Sequence, residues 1–135
     1  MSRRILVVGA TGLLGEPVAR RLLADGFQVR ILARRPDRAR EKLGDGFEIV
    51  EGDVRLVNTL GRAVEDCFGV HVSLRGGWDD EDAEQVEHHG TANVVRAARK
   101  AGVQRLSYLS GAGSYPENAW FPSVRAKLAA EAEIR

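Results

Sequence analysis

The chain has one cysteine, few aromatic residues and no long apolar run. The scarcity of cysteine and the lack of apolar runs each exclude a class of protein. A lone Cys67 excludes an intrachain disulfide and is compatible with the reducing cytoplasm, where we expect the protein to be. No segment approaches the ~20 apolar residues of a membrane-spanning helix. The net charge is +1, so there is no electrostatic reason to expect nucleic acid or a membrane as a partner.

What is present is typical of one soluble domain. Hydrophobic residues make up 44% of the 135 residues and charged residues 29%. The opening "MSRRILVVGA" is too short in its apolar part for a signal peptide and indicates a buried first strand. Strand-like runs then alternate with helical patterns, which predicts parallel strands joined by helical crossovers. We therefore predict an α/β fold: a Rossmann-type, doubly wound parallel sheet of about five strands, order 3-2-1-4-5, with helices on both faces.

The predicted elements stop in a helix after the fifth strand. A complete doubly wound nucleotide-binding sheet has a sixth strand, so we expect residues 1–135 to form one NAD(P)-binding domain that is incomplete at its C-terminus. The fifth strand would then be an uncovered edge, which favours self-association into a homo-oligomer.

A glycine-rich turn follows the first strand and opens a helix. "GATGLLG" has the spacing G-x-x-G-x-x-G, in which the first glycine makes the tight turn and the second lets backbone approach a pyrophosphate. The third permits close packing of helix on strand, and the helix N-terminus attracts the anion. This context predicts dinucleotide binding by Gly9, Thr11, Gly12, Leu13, Leu14 and Gly15.

The end of the second strand predicts which cofactor binds. An NAD site would carry an acidic residue there for the ribose 2′-hydroxyl, but this sequence has Arg34 and Arg35. A guanidinium suits a 2′-phosphate, so we predict NADP rather than NAD, with Arg34 as the better contact. The alternative is a solvated basic start to the second helix, because Arg30, Arg38, Arg40 and Lys42 cluster nearby.

Asp53 and Val54, which follow the third strand, are predicted to contact adenine. Asp53 could accept a hydrogen bond from the adenine amino group while Val54 packs on the ring. Asp53 is also a residue type that caps a following helix or turn, and the two roles are compatible.

These segments together resemble the short-chain dehydrogenase/reductase superfamily, and within it the extended and atypical members: the NAD(P)-dependent epimerase/dehydratase and NmrA-like groups. The resemblance rests on "VVGATGLLG", "ILARRPDRA", "VEGDV", "GTANVVRAARKAGVQRLSYLSGAG" and the lysine of "SVRAK".

The resemblance implies roles near the nicotinamide. A Ser or Thr at the end of the fifth strand binds the substrate oxygen, and that position is Ser110. A Tyr-x-x-x-Lys motif follows, in which Tyr is the general acid/base and Lys binds the nicotinamide ribose. Here Lys127 matches the lysine, but Ser123 stands in the tyrosine position, and a serine hydroxyl is a far poorer proton donor than a phenol. Leu74 and Arg75 match the segment beside the nicotinamide ribose.

Three functions remain open on this sequence. The first is an NADP-dependent oxidoreductase or epimerase acting on an unknown small molecule. The second is a non-catalytic NADP(H)-binding regulator or assembly subunit of NmrA-like type, and the third is a fragment with a cofactor half-site.

The acidic stretch "WDDEDAEQVEHH" is predicted to be a solvated helix start. His88 and His89 are adjacent and should point roughly 100° apart on an α-helix, so we expect no metal site. Cys67 is predicted to be a buried packing residue.

Overall fold

The computed structural model describes residues 2–75, 81, 83–111 and 114–135. Within them, five parallel strands form one sheet in the order β3-β2-β1-β4-β5, which confirms the predicted topology. Val8 at the end of β1 pairs with Leu32 of β2 and with Val72 of β4, so these three strands end at the same sheet edge. The strands are β1 (Arg4–Val8), β2 (Gln28–Ala33), β3 (Glu48–Glu51), β4 (Gly69–Val72) and β5 (Arg105–Tyr108).

Helices connect the strands along the chain. A π-helical segment, Ala83–Gly90, leads directly into the helix before β5. The α-helices are α1 (Gly15–Ala24), α2 (Pro36–Leu43), α3 (Gly61–Val64), α4 (Thr91–Lys100) and α5 (Pro122–Ile134), with 3₁₀ turns at Val57–Thr59 and Pro116–Asn118.

Helices cover both faces of the sheet, as predicted. Alternate residues of a strand point to opposite faces, so Val7 packs with Ala19 of α1 while Leu6 packs with Val94 of α4. Leu43 places α2 on the same face as α1. The central strand β1 is thereby buried from both sides, which explains its continuous apolar run.

The π-helical segment departs from the predicted solvated acidic helix. Glu87 is only 1% exposed, so the prediction is wrong for this residue, whereas Glu84 remains partly exposed. Residues 78–80 and 82 of the same stretch lie outside the described residues. A π-turn has a wider backbone than an α-helix and is frequent at functional sites.

Arg30 is a buried arginine in the middle of β2. Its Nη1 donates to the carbonyl oxygens of Ala63 and Glu65, both at 2.8 Å, and its Nε donates to Glu48 at 3.0 Å. It therefore satisfies the orphan carbonyls at the end of α3, a structural role unrelated to a ligand. The nearby Cys67 is buried as predicted, and burial raises the pKa of its thiol.

β5 forms one edge of the sheet, as the sequence pattern predicts. No helix in the described part of the chain is long and apolar enough to cross a membrane.

We expect the stability of the protein to fall below about pH 6.5 because of His71. Its Nδ1 lies 2.7 Å from the Ser107 hydroxyl, and burial lowers the pKa of the ring from its usual 6.5. The unfolded chain then binds a proton that the folded chain does not, so the loss begins near the unfolded pKa and levels off below the folded one. Urea unfolding at about pH 7.5 and 5.5 should show a smaller difference for His71→Asn than for wild type. The half-exposed His89→Asn is the control, and an unchanged difference in His71→Asn would contradict the assignment.

Candidate functional site

The glycine turn is sterically locked between β1, β4 and α1. Gly9 has a φ of +94°, and a Cβ there would overlap the carbonyl oxygen of Ser73 after β4. A Cβ at Gly15 would overlap the carbonyl oxygen of Gly9. The amide of Gly12 donates to that same Gly9 oxygen at 3.1 Å. Both end glycines are thus required by close approach, and α1 begins pressed against the end of β1.

The start of α1 is open to solvent and lacks a capping side chain in the described structure. Leu14 occupies the capping position without a side-chain hydrogen bond, although Ser, Thr, Asp or Asn is the usual choice. Leu13 is 87% exposed and Leu14 61% exposed. An uncapped helix N-terminus has unsatisfied amide donors and a positive dipole end, which together favour a bound anion.

A groove of about 920 Å³ runs along the carboxyl ends of the strands and brings together most of the predicted cofactor residues. Ligands of doubly wound folds bind in this position. The predicted residues that line it are Gly9, Thr11, Gly12, Arg34, Arg35, Asp53, Val54, Leu74 and Arg75, and Leu13, Leu14, Gly15, Ser110 and Lys127 do not line it.

One end of the groove is strongly basic. Arg34 and Arg35 are exposed directly after β2, and Arg38 and Lys42 of α2 line the groove with them. In the sequence, Arg38 and Lys42 belong to the alternative of a solvated basic start to the second helix, although their spacing of one helical turn indicates that they share a face. Lys42 Nζ also donates to the Thr11 carbonyl oxygen, so a side chain of α2 contacts the glycine turn.

Arg40 of the same basic cluster has a different role. It donates to the carbonyl oxygens of Gly44 and Phe47 at 3.1 and 2.9 Å and so stabilises the end of α2. The basic cluster therefore divides into groove residues and structural residues.

Asp53 adopts the turn-capping role that was predicted as one of its two alternatives. Its Oδ1 accepts the backbone N–H of Arg55 at 2.9 Å, and its Oδ2 accepts from the Arg55 guanidinium at 2.8 Å. These contacts with Arg55 lower the pKa of Asp53, and the charge of Arg34 contributes in the same direction. The carboxylate stays ionised and keeps acceptor positions for a ligand.

The other end of the groove lies after β4, where Ser73, Leu74 and Arg75 meet Val86 of the π-helical segment. Lys127 of α5 borders this end: its Nζ lies 3.4 Å from the Leu74 carbonyl oxygen and 2.8 Å from Glu87 Oε1. Lys127 is thus held beside the groove without lining it. Sequence reasoning missed Glu87, because a glutamate in an acidic helix gave no sign of burial.

Ser110 lies two residues beyond β5. Its Oγ is buried and has no hydrogen-bond partner among the described residues, as is also the case for the Ser114 Oγ. Both hydroxyls flank Gly111, where an added Cβ would lie 3.1 Å from Ser114 Oγ and 3.6 Å from Lys127 Cδ. Buried hydroxyls without a partner are costly and are expected to find one in a ligand or water.

The tyrosine position of the motif is filled by Ser123, in the first turn of α5 and one turn before Lys127. Tyr115 is 57% exposed in the preceding loop. The phenol that approaches Lys127 is Tyr108 of β5, whose ring centroid lies 5.8 Å from Lys127 Nζ. Sequence reasoning missed it because it belongs to the strand.

Tyr108 is partly buried and packs against the hydrophobic core. Its hydroxyl is buried and finds no partner in the part of the chain that the structure describes. Burial and the nearby carboxylates of Glu87 and Glu131 raise the pKa of the phenol well above its usual 10.0. The group is therefore a weak acid with no contact to the groove, which indicates packing.

His88 and His89 do not point apart as expected. Their rings stack with centroids 4.7 Å apart. Both approach Glu84 Oε1, from His88 Nδ1 at 2.7 Å and from His89 Nε2 at 3.3 Å. The π-helical backbone changes the angle between successive side chains. The donor atoms of Glu84, His88 and His89 lie within 4.8 Å of one another, so the geometric reason for expecting no metal does not hold, and the absence of a metal stays a prediction.

The fold and groove define an NAD(P)-binding domain of the Rossmann type. The NAD(P)H-binding family model matches residues 9–135, so the chain belongs to that family. Two solved structures that contain a bound nicotinamide cofactor are similar to this chain. The triphenylmethane reductase of Citrobacter sp., complexed with NADP(H), has 29% identity and a TM-score of 0.78 over 97% of this chain and 45% of that one. A short-chain dehydrogenase/reductase protein from Agrobacterium tumefaciens with bound NAD has 28% identity and a TM-score of 0.79 over 97% and 44%.

Curated relatives of the chain differ in function: one is an assembly factor and another is a reductase. The photosystem II assembly factor Ycf39 of Synechocystis sp. is 33% identical over 117 residues, which are 84% of this chain and 36% of that protein. A (4-alkanoyl-5-oxo-2,5-dihydrofuran-3-yl)methyl phosphate reductase of Streptomyces griseus is 40% identical over 106 residues, which are 78% and 34%. The chain thus spans about a third of the length of these relatives.

Removing the Tyr108 hydroxyl should be harmless. Tyr108→Phe is expected to leave the free energy of unfolding unchanged or raise it by up to ~1 kcal/mol, because the lost hydroxyl has no partner among the described residues. Urea unfolding measures this, and dinucleotide binding should be unaffected. A large loss of binding in a fully folded Tyr108→Phe would instead place the phenol in the site.

Proposed function

We propose that this chain is an NADP(H)-binding domain of an atypical or extended short-chain dehydrogenase-like oxidoreductase or epimerase. The observation that carries the proposal is the basic end of the groove. Arg34 and Arg35 stand directly after β2, where an NAD site would have a carboxylate, and Arg38 and Lys42 add two further cations to the same wall. Lys42 also pairs with Glu16 at 3.7 Å, so the three arginines at this end of the dinucleotide groove are the ones that favour the extra phosphate of NADP.

The residues divide along the cofactor. The pyrophosphate would lie on the glycine turn and the uncapped start of α1, where a side chain at Gly12 would obstruct it. Asp53 and Val54 would contact adenine, and Arg34 the 2′-phosphate. Leu74, Arg75 and Lys127 would contact the nicotinamide-side ribose, since they lie at the other end of the groove or border it.

The associated reaction is hydride transfer between the nicotinamide and a carbonyl or alcohol carbon of a small molecule. The cofactor supplies the hydride chemistry, and the protein supplies position and proton control. Ser110 has a buried hydroxyl whose hydrogen bond is open within the described structure, which suits the role of orienting a substrate oxygen. Lys127 would hold the ribose by hydrogen bonds from its ammonium group.

A second candidate is a non-catalytic NADP(H)-binding regulator or assembly subunit of NmrA-like type. Ser123 in the tyrosine position favours it, because neither Ser123 nor the buried Tyr108 offers the groove an acidic phenol. The similarity to an assembly factor agrees with this candidate.

The cofactor preference is tested by Arg34→Asp. Losing a guanidinium–phosphate pair costs about 1.5–3 kcal/mol, so the Kd for NADPH should rise roughly 10–100-fold. The Kd for NADH should change much less, since NADH lacks the 2′-phosphate. Fluorescence titration of the reduced nicotinamide measures both constants.

Arg99→Asp makes the same charge change on the exposed end of α4 and is the control. Similar losses for both cofactors in Arg34→Asp would show that Arg34 does not hold the phosphate. If Arg38→Asp alone weakens NADPH binding more than NADH binding, Arg38 and not Arg34 contacts the 2′-phosphate.

Turnover separates the two candidates. NADPH oxidation is followed with a panel of aldehydes, ketones and quinones. Tight NADPH binding with oxidation supports the oxidoreductase, and tight binding without it across the panel supports the binding module. No binding of either cofactor would overturn both.

A further inference from the structure

Glu87 is a charged side chain placed almost completely out of water. It lies in the π-helical segment and is 1% exposed. A buried carboxylate without a cation is strongly unfavourable, so its partner determines whether the site is stable.

That partner is Lys127 of α5. Lys127 Nζ lies 2.8 Å from Glu87 Oε1, with the two side chains 16% and 1% exposed. The same Nζ lies 3.4 Å from the carbonyl oxygen of Leu74, beyond the end of β4. Neither Glu87 oxygen has a hydrogen bond among the described residues, so the contact with Lys127 is an ion pair. A lysine ammonium has three donors, and it keeps donors for a ligand beyond the one directed at Leu74. These two contacts fix the position and direction of the Lys127 side chain, which is otherwise flexible.

The pair lies beside the groove, next to two residues that line it. Leu74, which accepts from Lys127, and Val86, which precedes Glu87, both line the groove at the end away from the basic residues. A buried ion pair contributes little net stability compared with an apolar pair of similar size, so stability alone is a weak reason for this arrangement. Orientation of the ammonium group towards a ligand is a better one.

We propose that Glu87 is a positioning residue for the nicotinamide half of the cofactor and acts through Lys127. The proposal rests on the proposed function, in which Lys127 contacts the nicotinamide-side ribose. It makes a specific demand: changes at Glu87 should affect ligands that reach Lys127 and spare those that occupy only the adenosine end.

The test compares NADPH with 2′,5′-ADP, which carries the adenine and the 2′-phosphate but no nicotinamide. Glu87→Gln keeps the shape and removes the charge. Its Kd for NADPH should rise roughly tenfold, because the ion pair that fixes Lys127 is lost, while the Kd for 2′,5′-ADP should stay within about twofold. Glu81→Gln, at an exposed glutamate two residues before the π-helical segment, is the control and should change neither.

A double-mutant cycle tests whether Glu87 acts through Lys127. Once Lys127→Met has removed the ammonium, adding Glu87→Gln should weaken NADPH binding no further. Glu87→Asp keeps the buried charge and withdraws it by one methylene. It should show a smaller selective loss, and it carries the test if Glu87→Gln does not fold.

The outcomes are distinct. Parallel loss of both ligands, or an unchanged ratio of the two Kd values in a folded variant, overturns the role of Glu87 and leaves the proposed function standing. A further loss on adding Glu87→Gln to Lys127→Met overturns the route through Lys127. Wild-type protein that binds neither NADPH nor 2′,5′-ADP overturns the proposed function and this inference together.

Discussion

The contact between Gly9 and the Ser73 carbonyl, together with that between Gly15 and the Gly9 carbonyl, is the constraint on which the site depends. Glycine at both positions lets the turn lie against Ser73 after β4 and lets α1 start directly against the end of β1. This places the open N-terminus of α1 at the middle of the strand ends, with a basic wall on one side and the Leu74 segment on the other. A bulkier turn would move α1 outward and widen the groove where a pyrophosphate must touch backbone.

The two ends of the groove use charge in different ways. At the basic end the cations are exposed and stand on the groove wall, so they attract an anion from solvent and should respond to salt. At the other end a single ammonium is withdrawn from water and tied to Glu87 and Leu74. The first arrangement favours capture of a charged ligand, and the second favours a fixed geometry. A dinucleotide with a 2′-phosphate at its adenosine end, a pyrophosphate in the middle and a reactive ring at the other end would fit this division.

Much of the fold was predictable because its signals are local. Alternating apolar runs and crossovers determined the strand order, and the spacing of Gly9 and Gly15 after a strand located the turn. The burial of Glu87 was not predictable from the sequence. The π-helical segment has only eight residues, too few to show a recognisable apolar repeat, and acidic helices are usually solvated. The different roles of Arg30 and Arg38 were also not predictable from the sequence. One caps α3 and the other lines the groove, and only tertiary packing distinguishes them.

The buried Cys67 has a practical consequence. It is the chain's single thiol, and its environment favours the protonated, unreactive form. Alkylation of native protein at neutral pH should therefore be slow and should report the rate at which the layer between β2 and α3 opens. A reporter cysteine placed at the rim of the groove could be labelled selectively without removing the natural one. Two such cysteines on opposite rims would make distances across the groove accessible to spectroscopic probes while Cys67 stays in place.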